Sequence, residues 1–160
     1  MGRRRHAVKR TIIPDSVHQS ELLTKFINKV MVQGKKSIAR KIVYEALDQF
    51  AKNVKEEDPI AALHVAFGNA RPYLEVKSRR IGGATYQVPI EIPPERQNAL
   101  VMKWIIQYSR AKPGKTMKDS LATELTDCYK NQGSTIKKKE DTHRMAEANK
   151  AFSHLSLIHI

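Results

Sequence analysis

Between Ser20 and Lys36 the chain reads SELLTKFINKVMVQGKK, with apolar residues recurring every three or four positions. Leu22, Leu23, Phe26, Ile27, Val30 and Met31 fall on one stripe of a helix, Lys25 and Lys29 fall on another, and Gly34 supplies a stop. The run SIARKIVYEALDQF predicts a second helix whose apolar face is Ile38, Ile42, Ala46, Leu47 and Phe50. Asp58 and Pro59 form an N-cap and first-turn pair for a third, IAALHVAFGNA, which must end near Arg71 because Pro72 disfavours helical backbone in the residue before it. Pro93 and Pro94 open a fourth helix, ERQNALVMKWIIQYSR, whose apolar positions spread so widely that it is expected to run through the centre of the domain. Pro113-Gly114 ends it. Thr116 with Asp119 gives a fifth helix a capping-box-like start, with Leu121, Leu125, Cys128 and Tyr129 along it and Gly133 as its C-cap. A sixth is expected from KKKED onward, with Met145, Ala148 and Phe152 on one face.

The segment EVKSRRIGGATYQV between the third and fourth helices has a different period. It predicts a β-hairpin turning at Gly82-Gly83, within residues 73–92. A strict two-residue loop would set Val76 opposite Pro89 and Lys77 opposite Val88, scattering the apolar side chains over both faces. An odd loop or a bulge would instead gather Leu74, Val76, Val88 and Ile90 on one face, and that register is the expectation. Under it the apolar face exists only at the base. The tip is left to Ser78, Arg80, Ala84 and Tyr86, with Lys77 and Arg79 on the reverse, so the ribbon should project from the body.

Charge then changes the picture. Of 160 residues, 29 are Lys or Arg and 16 are Asp or Glu, a net charge of +13. Self-repulsion of that size on a single small domain points to a polyanionic partner. The cations are clustered: Arg3, Arg4, Arg5, Lys9 and Arg10; Lys25 with Lys29; Lys35 with Lys36; Lys77, Arg79 and Arg80; Arg110, Lys112 and Lys115; Lys137, Lys138 and Lys139. Spread over the whole sequence, they imply an extended footprint on a folded nucleic acid, whereas zinc-finger spacing, a recognition-helix signature and a heptad basic region are all missing. Tyr86 is a candidate for stacking on bases, and Trp104, in its apolar helix, reads as core.

Other chemistries find little footing. The single Cys128 excludes a disulfide framework and a cysteine zinc site, and the six histidines show no ligand spacing, so no metal or cofactor is expected. No Gly-rich phosphate loop is present, and no enzymatic activity is expected. No apolar run approaches the roughly 18 residues of a membrane span, and the start GRRRHAVKR is not followed by the apolar stretch of a secretory signal. The expected class is a mainly α, six-helix single domain over 14–154 with an inserted, projecting β-hairpin arm. Residues 1–13 are expected to be a flexible basic arm, since they cannot bury enough apolar surface to fold alone.

Three motifs, FINKVMVQGKKSIARKIVY, SRRIGGATYQVP and KKKEDTHRMAEANKAF, in this order and spacing resemble bacterial-type small-subunit ribosomal protein seven. The resemblance runs from about Met1 to His154. It implies a six-helix fold with a ribbon arm that binds the 3′ major domain of small-subunit ribosomal RNA and initiates assembly of the subunit head. It further implies a hairpin beside the messenger path and the exit-site transfer RNA, neighbouring head proteins as partners, and a ribosomal location in the cytoplasm or a plastid. Arg3, Arg4, Arg5, Lys9, Arg10, Lys25, Lys29, Lys35, Lys36, Lys137, Lys138 and Lys139 would then contact ribosomal RNA, and Lys77, Arg79 and Arg80 would be the arm's cations. Tyr86, Arg96, Arg110, Lys112, Lys115, Lys118 and Arg144 complete the candidate RNA-binding set. The ending LSLIHI, residues 155–160, departs from the aromatic and basic tail usual in the family and matches a translated sequencing adapter, so it reads as a non-native tail. Two other readings use the same surface: an architectural DNA-binding protein whose Ile81 wedges into the minor groove, and a free-standing regulator acting on messenger RNA.

Overall fold

A computed structural model of the chain describes residues 10–156. The cations Arg3, Arg4, Arg5 and Lys9 and the last four residues of LSLIHI lie outside them. Six α-helices, one two-stranded antiparallel ribbon and a terminal 3-10 segment follow in chain order: α1 Glu21–Val30, α2 Lys36–Val54, α3 Pro59–Ala70, β1 Leu74–Ile81, β2 Ala84–Glu91, α4 Pro94–Ala111, α5 Met117–Tyr129, α6 Ser134–Ala148 and the 3-10 segment Lys150–Ser156.

The starts of α1, α3 and α5 obey local chemistry. Ser20, Asp58 and Thr116 each accept a hydrogen bond from an otherwise orphaned amide of the first turn, on Leu23, Ile60 and Asp119. The apolar stripe of α1 turns inward as expected, and Phe26 meets Phe67 of α3 edge to face with ring centroids 5.6 Å apart. Each such fully buried ring contributes about 1.5–3 kcal/mol through the water it sheds. Ahead of α1 the chain is tied down, because the Thr24 hydroxyl donates to the Ile13 carbonyl and Asp15 is buried.

Four expectations about the helices need correction. The buried face of α2 is Ala39, Val43, Ala46, Leu47 and Phe50, while Ile38 stays 55% exposed. The small Ala39 lets α2 come close to its neighbours, and the two isoleucines sit a residue out of phase. The hub is α5 rather than α4. It packs on α2, α3, α4 and α6 and buries Leu121, Leu125 and Cys128, whereas α4 keeps Lys103, Gln107 and Arg110 in solvent. Trp104 on α4 is buried. Helix α5 ends at Lys130 rather than at Gly133, and Gly133 is the N-cap of α6. Helix α6 therefore begins before KKKED and buries Thr135, Ile136 and Ala146, leaving Met145 exposed and placing Phe152 on the 3-10 segment.

The ribbon takes the strict two-residue loop, with Ile81 opposite Ala84, Lys77 opposite Val88 and Val76 opposite Pro89. Gly82 and Gly83 both have positive φ, 56° and 88°, the requirement of a type I′ turn whose twist matches that of the strands. Turn chemistry thus sets the register, and the expected bulge is absent. Val88, Ile90 and Tyr86 share a face with Glu75, Lys77 and Arg79, not with Leu74 and Val76. Apolar residues on both faces are accommodated because the ribbon has two partners, α6 and the 3-10 segment.

Candidate nucleic-acid interface

On α1, Lys25 and Lys29 lie four residues apart and are exposed. Their repulsion costs a few tenths of a kcal/mol. Alongside, α4 presents Lys103 and Arg110. The cleft between the two helices is lined by Lys29, Lys103, Ile106, Gln107 and Arg110. At one end it shares Lys29 with a hollow that contains Lys25, Asn28, Asn98 and the acid Glu95. At the other it shares Arg110 with a hollow that contains Lys35, Val32 and Ile38. Lys25, Lys29, Lys103, Arg110 and Lys35 therefore line three adjoining hollows, joined at Lys29 and Arg110, that together make one groove. Three clusters separated in sequence become one surface, and Lys36 stands next to it at the start of α2.

Local structure holds this groove in shape. The Arg110 guanidinium donates to the Val30 carbonyl at 3.2 Å, satisfying the last turn of α1 and complementing the negative end of its dipole. The Arg110 side chain carries further N–H donors and lines the cleft. The α1–α2 turn uses positive φ at Gln33 and Gly34, 53° and 75°, which brings Lys35 and Lys36 back beside the end of α1. Lys103 was not among the expected RNA-binding residues. It was detectable, since Arg96, Lys103 and Arg110 recur at intervals of seven along one face of α4.

The ribbon supplies a second basic surface. At its base, Glu75 is gripped by both arms of Arg96, Nε to Oε1 at 2.7 Å and Nη2 to Oε2 at 2.9 Å. Lys77 is 3.9 Å from the same carboxylate. The Tyr73 amide donates to His143 Nε2 at 2.9 Å, and their rings stack with centroids 6.0 Å apart. Burial, and then the charge of Lys139, pushes His143 below the ordinary histidine range, which favours the neutral ring that this bond requires. Further out, Tyr86 packs on Phe152 at 5.5 Å, with Arg79 opposite it on β1. At the turn, nothing lies within 4 Å of where a Cβ on Gly82 or Gly83 would stand. Arg79 and Arg80 form no ion pair among the described residues.

The remaining candidates divide by what they touch. Lys115, Lys137 and Lys138 are exposed and pair with no acid among the described residues; Arg10 is also exposed. Lys112 is engaged inside the protein, 2.9 Å from the buried Glu124 and 3.7 Å from Asp127. Lys118 meets Glu45 at 3.1 Å and Arg144 meets Asp141 at 3.6 Å. Lys139 donates to the Asn69 carbonyl at 2.6 Å, while the Asn69 side chain donates to the last carbonyls of α5. Lys112, Lys118 and Lys139 thus join elements together, whereas the Arg144 pair lies within α6. Cys128 is buried, and burial, reinforced by Glu124 nearby, pushes its thiol up to about 12, so it offers no thiolate nucleophile.

Comparison with known proteins follows the same outline. The family model described as ribosomal protein S7p/S5e matches residues 2–150. The small ribosomal subunit protein uS7 of Protochlamydia amoebophila is 62% identical over 154 residues, covering 96% of this chain and 98% of the relative. That of Chlamydia trachomatis serovar D is 60% identical over 152 residues, covering 94% and 97%. That of Chlamydia abortus is 62% identical over the same number, again 94% and 97%.

Proposed function

Because this chain belongs to the ribosomal protein S7p/S5e family, we propose that it is a structural component of the small ribosomal subunit, acting in the cytoplasm, that holds ribosomal RNA by neutralising phosphates. The observation that carries the reading is the groove between α1 and α4. Lys25, Lys29, Lys103, Arg110 and Lys35 line its successive sections, and none of them is paired with an acid among the described residues. A row of five cations, with Glu95 lining the section that holds Lys25, on a chain of charge +13 is unfavourable alone and favourable against a backbone of phosphates, whose condensed counterions are released. The 3′ major domain of small-subunit ribosomal RNA is the target, and binding there starts assembly of the subunit head among its neighbouring proteins. The ribbon, with Arg79 and Arg80 near its open turn, reaches toward messenger RNA and the exit-site transfer RNA. Arg96 on Glu75 sets its direction.

Filter binding across a salt series tests this with two ligands, a 3′ major domain RNA fragment and a DNA duplex of equal length. The RNA should be held more tightly and with steep salt dependence. Replacing Arg79 and Arg80 by Ala should weaken RNA binding and reduce the slope of log K against log salt by roughly 0.7–0.9 for each phosphate no longer neutralised, with the melting temperature unchanged. Equal or tighter binding to the duplex would overturn the assignment. A large fall in melting temperature would show that the arginines serve the fold.

A further inference from the structure

Glu124 has no part in the reading above, yet it is a fully buried carboxylate on the hub helix. Its two oxygens serve two other elements. Oε1 accepts from the Thr135 amide at 3.0 Å and from the Thr135 hydroxyl at 2.7 Å, in the first turn of α6. Oε2 lies 2.9 Å from the Lys112 ammonium, just past the end of α4. Burying a carboxylate is costly even when it is paired, and packing alone would be met as well by an apolar side chain. The charge therefore calls for an electrostatic explanation.

Helix α6 supplies one. Its N-cap is a glycine with no side chain to offer, its first turn contains no acid, and Lys137, Lys138 and Lys139 follow at once. The positive end of the helix dipole and three ammonium groups repel one another, so a helix that begins this way should fray. The negative charge it lacks comes from α5. Gly133 makes the delivery possible: its φ of 92° with extended ψ suits glycine, and a Cβ there would stand 2.8 Å from the Asp127 Cβ. The turn closes tightly enough to bring Thr135 onto Glu124.

We propose that Glu124 is a positioning residue for nucleic-acid binding. It holds the first turn of α6 so that Lys137 and Lys138 stand as a fixed pair toward phosphates, with Lys112 as its own countercharge. This rests on the reading that the α6 lysines meet RNA. Lys139 is anchored separately on Asn69, which leaves Lys137 and Lys138 as the exposed members.

A double-mutant cycle tests it on the full chain, combining Glu124→Gln with the pair Lys137→Ala and Lys138→Ala. Binding to the RNA fragment is measured over a salt series at a temperature where circular dichroism shows every variant folded. Glu124→Gln should weaken binding about fivefold, the scale of one or two neutralised phosphates, and lower the salt slope. The lysine substitutions should then cost much less in the Gln background than in the native one. Strictly additive effects would overturn the inference while leaving the RNA reading intact. Lysine substitutions without effect in the native background would remove the reading beneath it, and the inference with it. Should Glu124→Gln fail to fold, Thr135→Val, which deletes only the hydroxyl bond, runs through the same cycle with the same criteria.

Discussion

Tyr44 donates to Asp15 at 2.6 Å, and the amides of Val17 and His18 donate to the same carboxylate at 3.2 Å. Burial pushes the Asp15 carboxyl upward, but the hydrogen bonds, that of Tyr44 foremost, outweigh it and hold the group below its ordinary range. A carboxyl whose folded pKa is depressed adds stability above its unfolded pKa and loses that contribution as pH falls through the folded value. Tyr44→Phe should therefore destabilise the chain by about 1.5–3 kcal/mol at neutral pH, the worth of a hydrogen bond to a charged acceptor. Thermal melts should show the gap between the two proteins narrowing below about pH 4. A gap that does not depend on pH would mean that the ring's packing, not its hydroxyl, matters. Asp15 is visible in the sequence as the acid that ends a basic stretch. Its partner is 29 residues away and on another element, and no local pattern links the two.

At the scale of elements, what was legible was local. Ser20, the Asp58-Pro59 pair and Thr116 mark helix starts because capping is decided within four residues, and Pro72 stops α3 for the same kind of reason. The features that depart from expectation have the opposite origin, in contacts between elements. A single apolar face does not decide the ribbon register, because packing on two partners leaves the Gly-Gly turn to set it. The start of α6 has no local mark, because its N-cap is Gly133 and the acceptor for the Thr135 amide is a carboxylate on another helix. The bracing of the ribbon yields a pH prediction. Since the folded pKa of His143 is depressed, its contribution is present above the unfolded value and is lost as pH falls through the folded one. Protonation removes the lone pair that the Tyr73 amide uses. His154, Lys150, Glu91 and Glu147 line the same hollow, and the carboxylates would soften the change without restoring the bond. Hydrogen exchange at the Tyr73 amide, corrected for intrinsic rate, should accelerate between about pH 7 and pH 5 in the native chain. In His143→Ala it should be fast throughout. Unchanged protection across that range would show that the bond is dispensable.

For the whole molecule, the total charge announced a polyanion, while the surface that meets it became visible only through the fold. Of the candidate cations, Lys25, Lys29, Lys35 and Arg110 gather with Lys103 along one groove, whereas Lys112, Lys118, Lys139 and Arg96 join one element to another. Sequence clusters could not separate the two groups, because a lysine facing a phosphate and one facing a buried glutamate look alike along the chain. The distinction has a measurable consequence. Among the described residues helix α1 does not touch either strand of the ribbon, so groove and arm should behave as independent sites whose free energies add within about 0.5 kcal/mol. Replacing Lys29 and Lys103 by Gln should reduce the salt slope for RNA binding by roughly 1.4–1.8 if each meets one phosphate. It should leave the melting temperature unchanged or slightly raised, because two cations beside each other in a cleft repel. Combined with Arg79→Ala and Arg80→Ala, the reductions in log K should sum. Replacing Lys112 should do the reverse, lowering the melting temperature by stranding the Glu124 charge, a step that costs about 3–5 kcal/mol when one partner of a buried pair is removed. If the groove variant melted early and the Lys112 variant did not, the division between binding and binding-together cations would be drawn in the wrong place.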